Sequence, residues 1–170
     1  MEVLLEKTTD TPLIHFAPGM LVIEGRSITE DILGFWNPLL AWTAQYIKQP
    51  EKHTLVEIGL EYINSSSSKF INEILQMLAS MKDKGMVLEV NWSYEEDDES
   101  ILQLGRDLEA LCGTKFNFKE IDTVRERARK LTIRRKKTGE EYTITGRYWE
   151  SVVRNGHSEE YEVIEQKEDN

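Results

Sequence analysis

The chain contains several short runs in which apolar and polar positions alternate, and this two-residue period is typical of β-strands. Residues 13–16 and 20–24 flank the turn dipeptide Pro18-Gly19, so we predict a hairpin with residues 3–6 as an edge strand beside it. Three further strands are predicted over residues 54–62, 86–92 and 116–119. Alternation implies that each strand has one packed face and one face that is wet or covered by something polar, and it places Tyr62 on the packed face.

Three other segments have apolar residues every three or four positions, which is the spacing of amphipathic helices. The first predicted helix begins after the candidate N-cap Thr29, and Pro38 marks a kink or a restart within it. The second covers residues 69–84, and the third follows an acidic run and ends at Gly113. The strand–helix–strand segment 54–92 therefore predicts a βαβ unit with parallel strands.

Together these elements predict an α/β fold. We expect a two-layer sandwich in which a mixed sheet of about five to six strands carries about three helices on one face. The pattern changes near residue 121, so we divide the chain into a domain over residues 1–121 and a C-terminal extension over residues 122–170.

The extension contains turn signals of its own. Residues 131–137 and 141–145 flank the Thr138-Gly139 turn and predict a β-hairpin. Residues 148–153 fit two structures equally well: a strand of a second hairpin closed by Asn155-Gly156, or a turn of helix. The residues alone leave both alternatives open.

The net charge of −10 is unevenly spread along the chain. Residues 1–120 hold 10 Lys and Arg against 20 Asp and Glu, whereas residues 121–170 hold 11 of each. Within the second part, residues 125–137 form a basic stretch of eight Lys and Arg around Glu126. The body of the protein should therefore repel nucleic acid and anionic lipid, while the basic stretch keeps open an adaptor role on nucleic acid or a membrane surface.

Several classes of protein are excluded by what the sequence lacks. No run approaches the about 18 apolar residues of a membrane helix and the N-terminus has no signal-peptide pattern, so we expect no membrane insertion and a cytoplasmic protein. Cys112 is the single cysteine, which excludes a disulfide framework and a Cys-rich metal site. The histidines are scattered and no glycine-rich phosphate loop is present, so no catalytic residue, metal or cofactor is predicted.

The most informative segment joins a predicted strand to a predicted helix and consists of Asn64, Ser65, Ser66, Ser67, Ser68 and Lys69. On composition alone, the serines are either helix caps or part of a flexible loop. Four hydroxyls in a row exceed what capping needs, and the positive end of a helix tolerates an added phosphate. Because a phosphoryl group brings about −1.5 to −2 charges, it would change which molecules bind this surface.

A second segment follows the next predicted strand and ends in an acidic run, residues 95–99. Parallel strands end at the same edge of a sheet, so this run should lie beside the serines. It lacks the ligand spacing and the glycine of an EF-hand loop, which argues against a metal site. We instead predict partner contacts through Trp92, Tyr94, Glu95, Glu96, Asp97 and Asp98. A phosphate on a nearby serine would repel these carboxylates and so switch the surface.

These two segments also carry a family resemblance. Residues 62–69 (YINSSSSK), followed by residues 90–99 (VNWSYEEDDE), resemble the SiaC family of bacterial regulatory phosphoproteins. Thr11-Pro12, residues 23–27 and residues 35–39 agree with the same family. The resemblance covers about residues 5 to 121, so the role of the extension is not inherited from it.

The resemblance implies a small α/β protein that a dedicated kinase phosphorylates and a PP2C-type phosphatase dephosphorylates. In the best-understood family system, the unphosphorylated form binds and activates a diguanylate cyclase, which raises cyclic di-GMP and favours biofilm formation. The family's phosphoacceptor is a threonine directly after the asparagine of the motif, and Ser65 occupies that position here. Serine keeps the hydroxyl, and Ser66 is the alternative acceptor.

From the residues and the resemblance together, we predict a non-enzymatic signalling protein. Ser65 is its switch, and the effector bound by the unphosphorylated form is expected to be a diguanylate cyclase. The alternative function is an adaptor that binds nucleic acid or a membrane surface through the basic stretch 125–137.

Overall fold

The computed structural model describes residues 2–121, 129–154 and 156–168. The chain divides into two compact units, Met1–Lys119 and Glu120–Asn170. The first is built on a six-stranded sheet and the second on a three-stranded sheet. No helix within the described ranges is long and apolar enough to cross a membrane.

The six-stranded sheet is mixed, and its strands are β1 (Val3–Leu5), β2 (Leu13–Ala17), β3 (Met20–Ser27), β4 (His53–Ile63), β5 (Val87–Glu95) and β6 (Phe116–Ile121). They lie in chain order across the sheet, antiparallel from β1 to β3 and parallel from β3 to β5. The helices are α1 (Ile32–Tyr46), α2 (Ser65–Ala79), which continues as a 3₁₀-helix (Ser80–Lys84), and α3 (Glu99–Cys112). The predicted hairpin, edge strand and βαβ unit are confirmed.

The main core lies between one face of this sheet and the three helices. Val56 and Ile58 of β4 face the helices and are buried, as are Trp36 of α1 and Leu75 of α2. Helix α2 packs between α1 and α3, so the three helices form a single layer. The predicted two-layer α/β arrangement is confirmed.

The second face of the sheet is buried along β2 to β4, so of the two predicted states, wet or covered, it is not the wet one there. Leu13, His15, Met20 and Val22 lie on that face and are at most 2% exposed. The physical reason is visible in the sequence: nearly all of residues 13–17 and 20–23 are apolar, at odd and even positions alike. This composition is typical of strands that are buried on both faces.

Tyr62 also departs from the prediction, since it is 55% exposed rather than packed. The cause is a β-bulge between β3 and β4: Gly25 pairs with Leu60, but Arg26 pairs with Tyr62, so Glu61 is an extra residue. An extra residue reverses the alternation beyond it. Ile63 accordingly packs against the core in place of Tyr62.

The first helix begins later than predicted. Its N-cap is Asp31 rather than Thr29, because the Asp31 carboxylate accepts a hydrogen bond of 3.0 Å from the Gly34 N–H. Pro38 lies inside one continuous helix, so the chain does not restart there.

In the residues that the structure describes, the C-terminal unit is an antiparallel sheet with one α-helix. Its elements are β7 (Arg129–Arg135), β8 (Glu141–Thr145), α4 (Gly146–Arg154), a 3₁₀-helix (His157–Glu160) and β9 (Tyr161–Glu168), with β7 between β8 and β9. The side chains buried within this unit include Leu131, Ile133, Ile144, Tyr148, Val152 and Tyr161. The predicted hairpin of β7 and β8 is confirmed.

The alternative of a second hairpin through residues 148–153 is wrong, because these residues belong to helix α4. Strand β9, the other predicted arm of that hairpin, pairs with β7 instead. Tyr148 and Val152 are four residues apart, so a helix places both on its buried face, whereas Val153 is 48% exposed. Residue 155 of the proposed turn lies outside the described residues.

Gly105 provides a test of the packing between α3 and β5. An alanine Cβ at this position would lie 2.6 Å from Trp92 Nε1, so Gly105→Ala should lower the free energy of unfolding by about 1–3 kcal/mol in urea titrations. Glycine-to-alanine changes in unobstructed helices have the opposite sign. The control is Arg106→Ala at the next, exposed position, with an expected change below about 0.5 kcal/mol. Equal stability of Gly105→Ala and wild type would contradict this packing.

Tyr161 provides a test of the C-terminal unit, because burial raises its pKa to about 12 from the ordinary tyrosine value of 10.0. The raised pKa means that this phenol contributes stability that is complete below about pH 10 and is lost as the pH rises through about 12. The phenolate absorbance is titrated in wild type and in Tyr161→Phe, and the difference between the two curves is the signal of Tyr161. We expect this signal to appear near pH 12. A Tyr161 signal centred near pH 10 would show that the side chain is not buried in this way.

Candidate functional site

The serines of the motif form the first turn of α2 and not a loop before it. Helix α2 begins at Ser65, four residues earlier than predicted. Asn64 is the N-cap: its backbone is extended, and its side-chain Oδ1 accepts a 2.8 Å hydrogen bond from the Ser67 N–H. Asparagine is among the best N-cap residues, which is the signal that the prediction of a strand-to-helix loop missed.

The same asparagine attaches the helix to the sheet. The Asn64 N–H donates a hydrogen bond of 3.1 Å to the carbonyl oxygen of Ser27, the last residue of β3. The Asn64 carbonyl accepts from the Ser68 N–H at 3.1 Å, the first main-chain hydrogen bond of the helix. The position of Ser65 is therefore defined by bonds on both sides of it.

The four hydroxyls differ sharply in exposure. Ser65 is exposed, Ser66 and Ser68 are half-buried, and Ser67 is fully buried. Ser67 faces inward because it lies four residues before the buried Ile71, on the same face of the helix. Ser68 Oγ donates to the Ser65 carbonyl at 2.9 Å, which leaves Ser65 with the most accessible hydroxyl of the four.

The acidic run is partly structural. Asp98 is the N-cap of α3, with its side chain accepting a 2.9 Å hydrogen bond from the Ile101 N–H, and its own N–H donates to the Glu95 carbonyl. Glu96 and Asp97 are exposed, whereas Glu95 and Asp98 are half-buried. Of the predicted acidic contacts, Glu96 and Asp97 therefore present the most carboxylate to solvent.

Trp92 is a core residue, which corrects the prediction that it contacts a partner. It is 0% exposed, its indole N–H donates to the Ile101 carbonyl at 3.0 Å, and its ring stacks on Phe116. An indole that is buried and hydrogen-bonded holds α3 against the sheet and offers no surface. Tyr94 is half-buried and packs against the same core.

The serines and the acidic run lie at one end of the sheet, as the βαβ unit implies. Strands β4 and β5 are parallel, with Gly59 opposite Ser93, so both segments follow the carboxyl ends of neighbouring strands. The bulge in β4 exposes Tyr62 at this end. Tyr62 is a candidate surface residue that the sequence prediction had placed in the core, and no local sequence signal marks the bulge. Among the described residues, no group of His, Cys, Asp and Glu could hold a metal ion.

The family is established by comparison with known sequences. The profile of the SiaC family regulatory phosphoproteins matches residues 5–121, well over half of the chain. The chain belongs to the SiaC family. An uncharacterized protein of Pseudomonas aeruginosa (strain UCBPP-PA14) is 23% identical over 117 residues, which make up 68% of this chain and 93% of that protein.

Solved SiaC structures share the fold of this family member. The crystal structure of apo-SiaC from Pseudomonas aeruginosa matches with a TM-score of 0.62 and 21% identity, over 70% of this chain and 98% of that one. A chain of the crystal structure of diguanylate cyclase SiaD in complex with its activator SiaC, from the same organism, matches with a TM-score of 0.65 and 21% identity, over 70% and 99%. At these identities, the likeness establishes the common fold.

The basic stretch lies beyond the SiaC-family match, and two of its arginines, Arg129 and Arg134, form ion pairs within the C-terminal unit. Arg134 lies 2.7 Å from Glu141 and 3.7 Å from Glu162, and its hydrogen bond to Glu141 raises its pKa further. Arg129 lies 3.7 Å from Glu150. Residues 125–128 of the stretch lie outside the described residues.

The capping role of Asn64 in this SiaC-family protein can be tested by substitution. Asn64→Ala should reduce the free energy of unfolding by about 1 kcal/mol, because the Ser67 N–H loses its acceptor. Asn64→Asp keeps an acceptor and should remain close to wild type. Guanidinium unfolding followed by tryptophan fluorescence measures both variants. A similar loss in both would show that the cap does not start α2.

Proposed function

We propose that this SiaC-family protein is a non-enzymatic signalling switch controlled by reversible phosphorylation of Ser65. The observation that carries the proposal is the exposed hydroxyl of Ser65 at the first position of α2, set by the Asn64 cap, in a chain that belongs to a family of regulatory phosphoproteins. A dedicated kinase would add the phosphoryl group, and a PP2C-type phosphatase would remove it.

Ser65 is the better acceptor on grounds of access. A kinase must reach the hydroxyl oxygen, and Ser65 is exposed while Ser66 is half-buried. Ser67 is 0% exposed, so phosphorylation there would require the first turn of α2 to open. Ser66 remains the alternative acceptor, whereas the geometry does not favour Ser67.

The effector of the unphosphorylated form is proposed to be a diguanylate cyclase, which places the protein in cyclic di-GMP signalling and biofilm control. The support is the solved complex in which Pseudomonas aeruginosa SiaC is the activator of the diguanylate cyclase SiaD. Shared family membership and fold make an equivalent partner the simplest choice for this chain.

The proposed docking surface lies at the carboxyl ends of β4 and β5. It includes Tyr62, the partly exposed Tyr94, Glu95 and Asp98, and the exposed Glu96 and Asp97. A phosphate on Ser65 would add about −1.5 to −2 charges to a surface that already carries carboxylates. An effector matched to the unmodified surface would then be repelled, since like-charge contacts across an interface are costly.

The two parts of the chain on either side of residue 121 receive separate roles in this proposal. Residues 1–121 form the regulatory phosphoprotein domain, and residues 122–170 form an extension whose binding role is open. Arg129 and Arg134 of the basic stretch pair with carboxylates of their own unit, which neutralises part of the charge that the adaptor function would use.

The first test is to map phosphate on protein purified from its native cell. A mass increase of about 80 Da, the mass of one phosphoryl group, is expected on the peptide that contains Ser65. Purified cyclase activity is then measured with Ser65→Ala and Ser65→Glu variants. We expect Ser65→Ala to activate like wild type and Ser65→Glu to lose at least about tenfold, as a buried like-charge contact costing more than about 1.4 kcal/mol would produce.

The matched control is Ser80→Glu, which adds the same charge at an exposed position beyond the other end of α2 and should leave activation unchanged. Equal activation by Ser65→Glu and Ser80→Glu, with no phosphate found on the fully covered Ser65 peptide, would contradict the proposed switch.

A further inference from the structure

Lys69 lies one helical turn after Ser65 on the exposed side of α2. The two residues are four positions apart, which makes them neighbours on a helix surface, and both are exposed. Side chains of an α-helix lean toward its N-terminus, which for Lys69 is the direction of Ser65. Within the described part of the chain, no hydrogen bond or ion pair engages the Lys69 ammonium.

The one acidic residue four positions further along the same row is Glu73, which is exposed. A lysine that precedes a glutamate by four residues is the less favourable order, whereas a negative group that precedes a lysine is the favourable one. A phosphoryl group on Ser65 would therefore be a better partner for Lys69 than Glu73 is. It precedes the lysine along the helix, and it carries more negative charge than a carboxylate.

We propose that Lys69 binds the phosphoryl group carried by Ser65, an inference that rests on the proposed phosphorylation of this residue. The ammonium supplies up to three donors, and the phosphate supplies three acceptor oxygens. The positive N-terminal end of α2 acts on the phosphate in the same direction. Lys69 is a positioning residue: it holds the phosphate along α2, so the added charge has a defined place on the surface.

The decisive measurement is the second pKa of the phosphate, which is close to 6 in an unperturbed phosphoserine. Phosphoserine is incorporated at position 65 of the full chain during translation, and the phosphorus-31 NMR signal is titrated. Since an adjacent cation favours the dianion, we expect Lys69→Met to raise this pKa by about 0.2 to 0.4. Lys69→Arg should keep the wild-type value, because it keeps the cation.

The matched control is Lys115→Met, an exposed lysine between α3 and β6, and it should leave the phosphate pKa unchanged. The same phosphate pKa in Lys69→Met and Lys115→Met would overturn the proposal. Because the phosphate is installed without a kinase, this result is independent of whether cells phosphorylate Ser65. An unmodified Ser65 in native protein would overturn the proposed function while the NMR comparison would still report on Lys69.

Thermal unfolding gives a second readout with a predictable sign. A phosphate pKa that is lower in the folded chain contributes stability above about pH 6 and loses it as the pH falls through the folded value. Phosphorylation should therefore raise the melting temperature at pH 7.5 and have less effect at pH 5. We expect Lys69→Met to reduce the gain at pH 7.5. An undiminished gain in this variant would show that the helix end alone holds the phosphate.

Discussion

The candidate site depends on the hydrogen bonds that Asn64 makes in two directions. Its N–H donates to the Ser27 carbonyl at the end of β3, and its side chain accepts from the Ser67 N–H inside α2. The first bond attaches the start of the helix to the sheet, and the second starts the helix at Ser65. A charge added to Ser65 is consequently attached to a defined backbone position and not to a flexible loop.

The second segment of the site is held by packing. Trp92 stacks on Phe116, donates to the Ile101 carbonyl and lies so close to Gly105 that no side chain fits between them. With the Asp98 cap, these contacts join β5 to α3 and leave Glu96 and Asp97 exposed between them. Because β4 and β5 are parallel, both segments end at one edge, so phosphorylation of Ser65 would change the surface there without rearranging the core.

The C-terminal unit extends the family architecture. The family match ends at residue 121, and the solved SiaC chains are covered almost completely by 70% of this chain. Within the described part of the unit, Ile133 and Tyr148 are fully buried, and Arg129 and Arg134 pair with carboxylates of the same unit.

Much of the fold and part of the site could be predicted from the chain alone. Alternation and helical spacing identified the hairpin, the βαβ unit and the tail hairpin, because these patterns are local consequences of burying one face. The order of strand, asparagine, serines and helix likewise located the motif, and the family resemblance identified Ser65 as the candidate acceptor. These features depend on neighbouring residues, so a single sequence contains them.

Other features were decided by contacts between distant segments. The bulge opposite Gly25 turned Tyr62 outward, although alternation placed it on the packed face. The close approach of α3 buried Trp92, against the prediction that it contacts a partner. Residues 148–153 form a helix rather than a hairpin strand, and β9 pairs with the free edge of β7, on the side away from β8. Alternation along a strand is local, but pairing register and helix approach depend on partners far along the chain, and only the tertiary structure supplies them.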